Sequence, residues 1–490
     1  MGGIKKIVFS IQQWRERPVV AISLITAVGA VFRIYHLGFK SLWLDEALLV
    51  QFANGNLEHV LGHNAFYNSY PPLFAILVHE IMAIGTSEWI LRAIPCLAGI
   101  AAIPMIYLLS RNFISHRFAF FSAVLVALSP NQIMYSQQVV AYSLTFLFAE
   151  INLCLFLRFL GRVTWQNALF LGLIIFISIF LHYGLAVLVL SINILFVMRV
   201  INMEQPAKAI ALWSVAQAMG LIAAFAVYHY SFKYQFTPGG FGADYLHPGY
   251  WDGTFHNLVS IAMFNTKDIF GFAFPMSYLM IILVILGVIW VTQVEIPIRS
   301  GSIMLLVMPF WVTFILAVVR LYPYVGARQT VYLSPMIYVF AAIGVSFLFS
   351  QRHMRSVGIV CIAVLMFQGG QNAIEYLRSE GTENMRPVVR TLESLLRKDD
   401  LIYVYYGAQP AFEYYFRGHD HPFVRGVESR QAPEKYLQQL SEVLAQGRRV
   451  WIVISHSRYS EGDMIIRYVA GLREGGLVCR EKGVYLFLAN

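Results

Sequence analysis

Apolar runs long enough to cross a bilayer recur through the first three quarters of the chain, and no other feature restricts its fold as much. A span needs roughly 20 apolar residues, and inside lipid each backbone N–H and C=O must be satisfied within the segment. About eleven such runs are present, centred near Thr26, Ile100, Val126, Phe148, Ile174, Leu190, Met219, Leu283, Phe314, Val339 and Ala363. Charged residues make up 13% of the chain and hydrophobic ones 58%, whereas a soluble domain carries about 25% charge. The expected fold is therefore a polytopic α-helical membrane protein. The run from Val19 to Tyr35 is long enough to be an uncleaved first helix.

Short loops carry an orientation signal. With the N-terminus inside, inner loops hold Lys5, Lys6, Arg15 and Arg17, then Arg111 and Arg117, Arg158 and Arg162, Arg199 and Lys208, Arg299, and Arg352 and Arg355. Outer loops hold fewer: Lys40, Lys233, Lys267, Arg320 and Arg328. The alternation depends on Pro71 to Gly85, which offers only about 13 residues after its prolines, too few to span. It is read as an interfacial helix of the first outer loop. Its His79-Glu80 pair is not a zinc-protease motif, because Ala83 stands where the second histidine would be.

The net charge of +9 does not point to nucleic acid, because most basic residues before the last hundred or so lie singly or in pairs between apolar runs. The four cysteines have neither metal-ligand spacing nor a disulfide pattern. The loop from Tyr228 to Asn257 is rich in aromatics, including Tyr234, Phe236, Phe241, Tyr245, Tyr250 and Trp251. It reads as an aromatic belt at headgroup level or as a flap over a sugar or lipid site. After about Gln371 the pattern becomes short strands (Leu401 to Tyr406, Val450 to Ser455, Val484 to Leu488) alternating with amphipathic helices (Pro387 to Lys398, Pro433 to Ala445, Asp463 to Glu474). Two domains follow: residues 1–371 in the membrane and a small extracytoplasmic α/β domain over 372–490.

Phe39 to Ala47 places adjacent carboxylates, Asp45 and Glu46, beside Trp43 directly after the first apolar run. Charge at a membrane rim is costly and marks function. A carboxylate at such a rim can serve as a general base, and Asp45 is the candidate. The alternative is an acid that satisfies backbone N–H groups at a helix start. Outer-rim cations either snorkel to headgroups or grip an anion, and Arg suits the second task because its planar fork reaches two oxygens. Arg328 and Arg320 flank Tyr322-Pro323-Tyr324 on the outer side, and Lys40 and His182 are further candidates.

With Arg33 in the first span, then Leu37-Gly38 and Ser41-Leu42-Trp43-Leu44-Asp45-Glu46-Ala47, the chain resembles the GT-C glycosyltransferases. The branch is that of protein O-mannosyltransferases and the bacterial aminoarabinose transferase of lipid A. The resemblance continues through Tyr70-Pro71-Pro72-Leu73, Ser87-Glu88 with Leu91-Arg92, Leu128-Ser129-Pro130, Tyr135-Ser136-Gln137 and His182-Tyr183, and returns at Arg328 to Pro335. It implies a polyprenyl-phosphate-linked sugar donor and a base in the first outer loop, which maps onto Asp45 with Glu46 beside it. Where the family often has Glu and Arg after Tyr-Ser-Gln, this chain has Gln138 and Val140. Gln137 and Gln138 remain able to hydrogen-bond a sugar, and Trp43, Tyr70, Tyr135 and Tyr183 complete the expected sugar and acceptor contacts.

The function expected is an inverting membrane glycosyltransferase that moves a sugar from a polyprenyl phosphate to a hydroxyl acceptor in the cell envelope. Its expected location is a bacterial inner membrane, with the N-terminus cytoplasmic. No cofactor is required, and a divalent metal is compatible but not demanded. The alternative is a transporter or flippase of a lipid-linked sugar, which would show access to both faces and inverted repeats.

Overall fold

The computed structural model describes residues 18–61, 71–237, 240–241, 244–293, 303–429, 434–457 and 461–490, with the side chains of 236–245 and 292–293 outside that description. Tyr70 and the aromatic side chains of Phe236, Phe241 and Tyr245 therefore lie outside the described residues. The chain divides into two compact units. One gathers Met1–Tyr35, Leu57–Leu77 and Arg92–Leu377; the other gathers His36–Asn56, Val78–Leu91 and Arg378–Asn490.

The first unit is a helical bundle. Each expected span centre falls inside a helix: Pro18–Ile34, Ala93–Ser110, His116–Leu128, Tyr142–Gly161, Trp165–Leu181, Tyr183–Val200, Pro206–Val227, Ser277–Gln293, Met304–Val318, Ser334–Ser350 and Arg355–Arg378. Among the described residues, six helical stretches are long and apolar enough to cross a membrane, or eight if two bent pairs are each one span. Pro18–Ile34, Trp165–Leu181 and Met304–Val318 are shorter apolar helices. Leu73–Met82 has only 10 residues, a length of about 15 Å against a core of about 30 Å.

Local chemistry explains the bends. His116–Leu128 meets Pro130–Ser136 at 58°. Proline drives the residue before it out of the helical region, and Ser129 has ψ of 118° and caps the second helix by accepting from the Gln132 N–H. The end of the first helix is fastened by buried side chains. Arg33 donates to the carbonyls of Gly29, Val126 and Ala127 at 3.0, 2.9 and 3.3 Å. The Gln137 amide donates to those of Phe32, Arg33 and Tyr35 at 3.1, 3.2 and 2.7 Å. These are the carbonyls that a helix C-terminus leaves without partners.

Among the six long apolar stretches of the described residues, Arg328–Ser350, which ends in the helix Ser334–Ser350, is the most enclosed, with 89% of its apolar window buried. It crosses Ser277–Gln293 at a pair of glycines. A Cβ on Gly344 would lie 1.9 Å from the Leu283 carbonyl oxygen, and one on Gly287 would lie 2.8 Å from that of Phe340. Small residues at a crossing let backbones approach closely. Gly344→Ala is therefore expected to lower the thermal unfolding midpoint in detergent, at a cost of about 1–3 kcal/mol for overpacking. Gly370→Ala, where a Cβ meets nothing within 4 Å, is expected to raise it slightly, by up to about 1 kcal/mol of helix propensity. Equal effects at both sites would refute the close crossing.

In the second unit a five-stranded sheet runs in the order Phe423–Arg425, Leu401–Val404, Val450–Ser455, Val484–Ala489, Gly475–Glu481. The first three strands are mutually parallel and the last two pair antiparallel. Helices Met385–Leu395, Glu434–Leu444 and Glu461–Leu472 accompany it, close to their expected positions. Tyr403, Val450, Ile452 and Ile454 build the core with Leu440, Ile465 and Val469. Trp451, also buried, donates from its indole to Asp400 at 2.8 Å. The two strands absent from the sequence reading are both edges. Phe423–Arg425 has three residues, and Gly475–Glu481 is mostly exposed, so neither shows a buried apolar pattern.

Candidate active site

The stretch carrying the acidic pair belongs to the second unit, with the C-terminal sheet. Asp45 and Glu46 are the second and third residues of the helix Leu44–Ala53, whose N-cap is Trp43. Position decides their tasks. Glu46 is buried, and its carboxylate accepts from the Trp43 N–H at 3.4 Å, a reach back to the cap that is common for a third-position Glu. Asp45 is half-buried. The Trp43 indole N–H is buried and meets no hydrogen-bond partner among the described residues, which leaves a donor two positions before Asp45.

The approach to this helix is tied down residue by residue. The Arg386 guanidinium donates to the carbonyls of Gly38 and Phe39, at 3.1 and 3.3 Å. Lys40, buried, donates to Ser379 at 3.2 Å. Ser41 donates to Asn384 at 2.9 Å and accepts from the Arg386 backbone N–H at 3.1 Å. The Leu42 N–H donates to the Tyr415 hydroxyl at 2.7 Å, and the Leu44 N–H to a Glu383 oxygen at 3.1 Å. The other Glu383 oxygen meets His456 Nδ1 at 2.6 Å, so that nitrogen carries the hydrogen. His456 itself lies in the left-handed region, with φ of 53°. Tyr415 donates in turn to Glu88 at 2.9 Å. Burial, and then the Glu88 charge, push its phenol well above the ordinary value, so it stays protonated. Arg386 also forms an ion pair with Glu88 and lies 5.6 Å over the Tyr415 ring. Sequence reasoning missed Glu383, Arg386, Tyr415 and His456, because polar residues of the tail have no local pattern that names their partners. His79, set aside as a zinc ligand, meets the Ala53 carbonyl at 2.8 Å.

The first unit brings together other expected residues. Arg328 begins a short 3₁₀ turn before Ser334–Ser350. Its guanidinium lies 5.9 Å from the Tyr142 ring centre. His182 meets the same ring edge-on at 5.9 Å, and Tyr135 at 4.9 Å. Tyr142 is thus the hub of Arg328, His182 and Tyr135. His182 caps Tyr183–Val200 by accepting at Nδ1 from the Gly184 N–H, at 3.0 Å. That tautomer is neutral with hydrogen on Nε2, so His182 offers a donor rather than a charge.

The remaining residues lie elsewhere in that unit. Tyr183 donates to Gln235 at 2.7 Å. Arg320, exposed and left-handed with φ of 59°, donates to the Trp251 carbonyl at 2.7 Å. That bond and the Asn265 amide, which donates to the Pro248 and Tyr324 carbonyls at 2.8 Å each, fasten the described end of the aromatic loop. Gln137 is committed to the end of the first helix, and Gln138 is half-buried. Among the described residues no group of three or more His, Cys, Asp and Glu side chains gathers as a metal site would.

Comparison with known proteins follows this geometry. The family model described as "Dolichyl-phosphate-mannose-protein mannosyltransferase" matches residues 69–230. No curated protein matches the sequence. In fold, the chain is similar to ArnT from Cupriavidus metallidurans, solved in the apo state and bound to undecaprenyl phosphate. The TM-score is 0.60 at 12% identity, covering 95% of this chain and 97% of that one. It is also similar to the Archaeoglobus fulgidus oligosaccharyltransferase AglB in complex with an inhibitory peptide and a dolichol-phosphate. There the TM-score is 0.56 at 10% identity, covering 96% of this chain and 74% of that one. Identities this low speak for the fold, and the family model speaks for the sequence. The chain therefore shares the ArnT fold over nearly its whole length, and residues 69–230 within it are similar to the dolichyl-phosphate-mannose-protein mannosyltransferase family.

Proposed function

We propose that this chain transfers a sugar from a polyprenyl-phosphate-linked donor to a hydroxyl acceptor at the extracytoplasmic face, with inversion and with Asp45 as general base. The observation that carries the donor class is the likeness in fold, over nearly the whole chain, to ArnT bound to undecaprenyl phosphate. The setting of the acidic pair supports the base: Glu46 is buried and reaches back to the helix start, while Asp45, half-buried, is the more accessible carboxylate of the two. In this reaction the Asp45 carboxylate takes the acceptor hydroxyl proton as that oxygen attacks the anomeric carbon. The bond from that carbon to the phosphate oxygen breaks, and polyprenyl phosphate leaves with the electron pair. Arg328 balances the charge that develops on the phosphate, and the His182 Nε2–H adds a neutral donor.

Native mass spectrometry of the detergent-purified protein should find a co-purified polyprenyl-phosphate sugar, and NMR of the product should show the anomeric configuration opposite to the donor's. A retained configuration would exclude direct displacement. Arg328→Ala should weaken saturation by the lipid donor more than Arg328→Lys, because lysine keeps the charge but lacks the planar fork. Unchanged donor saturation in both would remove Arg328 from the phosphate site. For topology, a periplasm-dependent reporter fused after Asn490 should be active. Activity of a cytoplasm-dependent reporter alone would invert the assignment.

A further inference from the structure

Within the second unit lies an open cleft of about 490 Å³ whose lining includes Ser87, Glu88, Arg386, Arg390, Tyr414 and Arg417. That volume falls in the range of small-molecule sites, about 300–1,000 Å³. The charges inside it are unevenly partnered. Glu88 is held by Arg386 and Tyr415. Glu393, which also lines the cleft, is paired with His419 at 2.8 Å. Arg390 and Arg417 are exposed, and neither forms an ion pair with a carboxylate among the described residues. Arg417 is held over the Tyr414 ring at 5.2 Å, and Arg390 stands one helical turn beyond Arg386 on Met385–Leu395. Two guanidiniums without acids, beside a tyrosine face and the Ser87 and Thr86 hydroxyls, suit an anion carried on a hydroxyl-rich ring.

The wall of the cleft has a second task. Arg386 and Tyr415 line it, and these same residues hold the carbonyls of Gly38 and Phe39 and the Leu42 N–H. A ligand in the cleft therefore touches the side chains that shape the approach to Asp45. We propose that the cleft anchors the acceptor, gripping a phosphate or carboxylate group borne by an acceptor sugar through Arg390 and Arg417. This assignment rests on the reading of the chain as a glycosyltransferase, and it adds the chemical class of the acceptor.

The test is ligand binding to the full-length, detergent-purified protein, followed by saturation-transfer NMR and titration calorimetry. The probes are glucose 6-phosphate, glucuronate, glucose and inorganic phosphate. The phosphosugar, the uronate or both should bind, glucose should not, and which one binds names the anion. Arg390→Ala with Arg417→Ala should weaken that binding at least about ten-fold, the loss expected for charge-assisted hydrogen bonds. Replacing both by Lys should restore part of it. Equal binding of glucose, equal binding of bare phosphate, or unchanged binding in the double Ala variant would each overturn the assignment. Asp45→Asn should still bind, since the base is not part of the grip. If transfer proceeds and the double Ala variant keeps the wild-type KM for acceptor, the acceptor site falls while the transferase reading stands. If the Arg-dependent binding holds but no lipid-linked sugar is ever used, the transferase reading falls instead.

Discussion

Asp45→Asn should lower the transfer rate about 10²–10⁴-fold, or about 3–5 kcal/mol of barrier, the usual range for a lost general base. The amide is close to the carboxylate in size but takes no proton at neutral pH. Asn is close to isosteric with Asp at the second residue of Leu44–Ala53, and bonds made by Glu46, Glu383, Tyr415 and Arg386 also fasten this stretch. The variant should therefore fold, and donor affinity should survive. Glu46→Gln should behave differently. It keeps an acceptor for the Trp43 N–H but loses charge at a helix start, so a modest stability change is expected, on the order of 0.3–1 kcal/mol, with most activity retained. Initial rates and lipid-donor affinity on the same purified variants decide the matter. Full activity in Asp45→Asn would end the base assignment. Joint loss of rate and donor binding would make Asp45 a binding group.

Arg386→Ala should produce the second large effect, in a residue that need not touch the reacting atoms. One substitution removes the donors to Gly38 and Phe39, leaves the partly buried Glu88 carboxylate without its guanidinium, and strips the cation from the Tyr415 ring. Misplacing a catalytic group by about 1 Å can cost about 10²-fold in rate, and kcat should fall by that order. Donor affinity should change little if the lipid phosphate is held by Arg328. The lost charge-assisted bonds should also cost about 1.5–3 kcal/mol of local stability, seen as faster hydrogen exchange over residues 38–44. Glu88→Ala in the same background should add less than its separate effect, because the two side chains form one pair. Wild-type kcat with unchanged exchange would show that the stretch holds its shape without Arg386.

The membrane helices were legible because lipid leaves the chain few options. A run centred on Phe148 or Val339 has no other way to satisfy its backbone in hydrocarbon, and the short run after Pro71-Pro72 is too brief to cross. In the tail, Val450–Ser455 declared itself by being buried at every position, whereas exposed Gly475–Glu481 gave no such signal. The acidic pair was legible as a motif, but the difference between its members was not. That difference depends on which residue falls third in the helix and reaches back to Trp43. Gln137 shows the same limit. Reading it as a sugar ligand follows from its polarity beside a tyrosine, while its amide reaches carbonyls more than a hundred residues earlier in the chain. Hydrophobic periodicity reports which face is buried, not which distant carbonyl a polar tip will meet.

The sequence distance across the fastening of Lys40, Ser41 and Leu44 has a consequence for how the protein is made. Their partners Ser379, Asn384 and Glu383 come 339, 343 and 339 residues later. At roughly 5–20 residues per second of synthesis, the stretch waits on the order of 20–70 s before those side chains exist. The helical bundle can begin to assemble from neighbouring spans in that interval, since its contacts are closer in sequence. The acidic corner cannot be shaped before the tail is made. The stretch should therefore stay unshaped until synthesis is nearly finished, and protease protection of residues 36–56 on stalled nascent chains should appear only once residue 415 has been released from the ribosome.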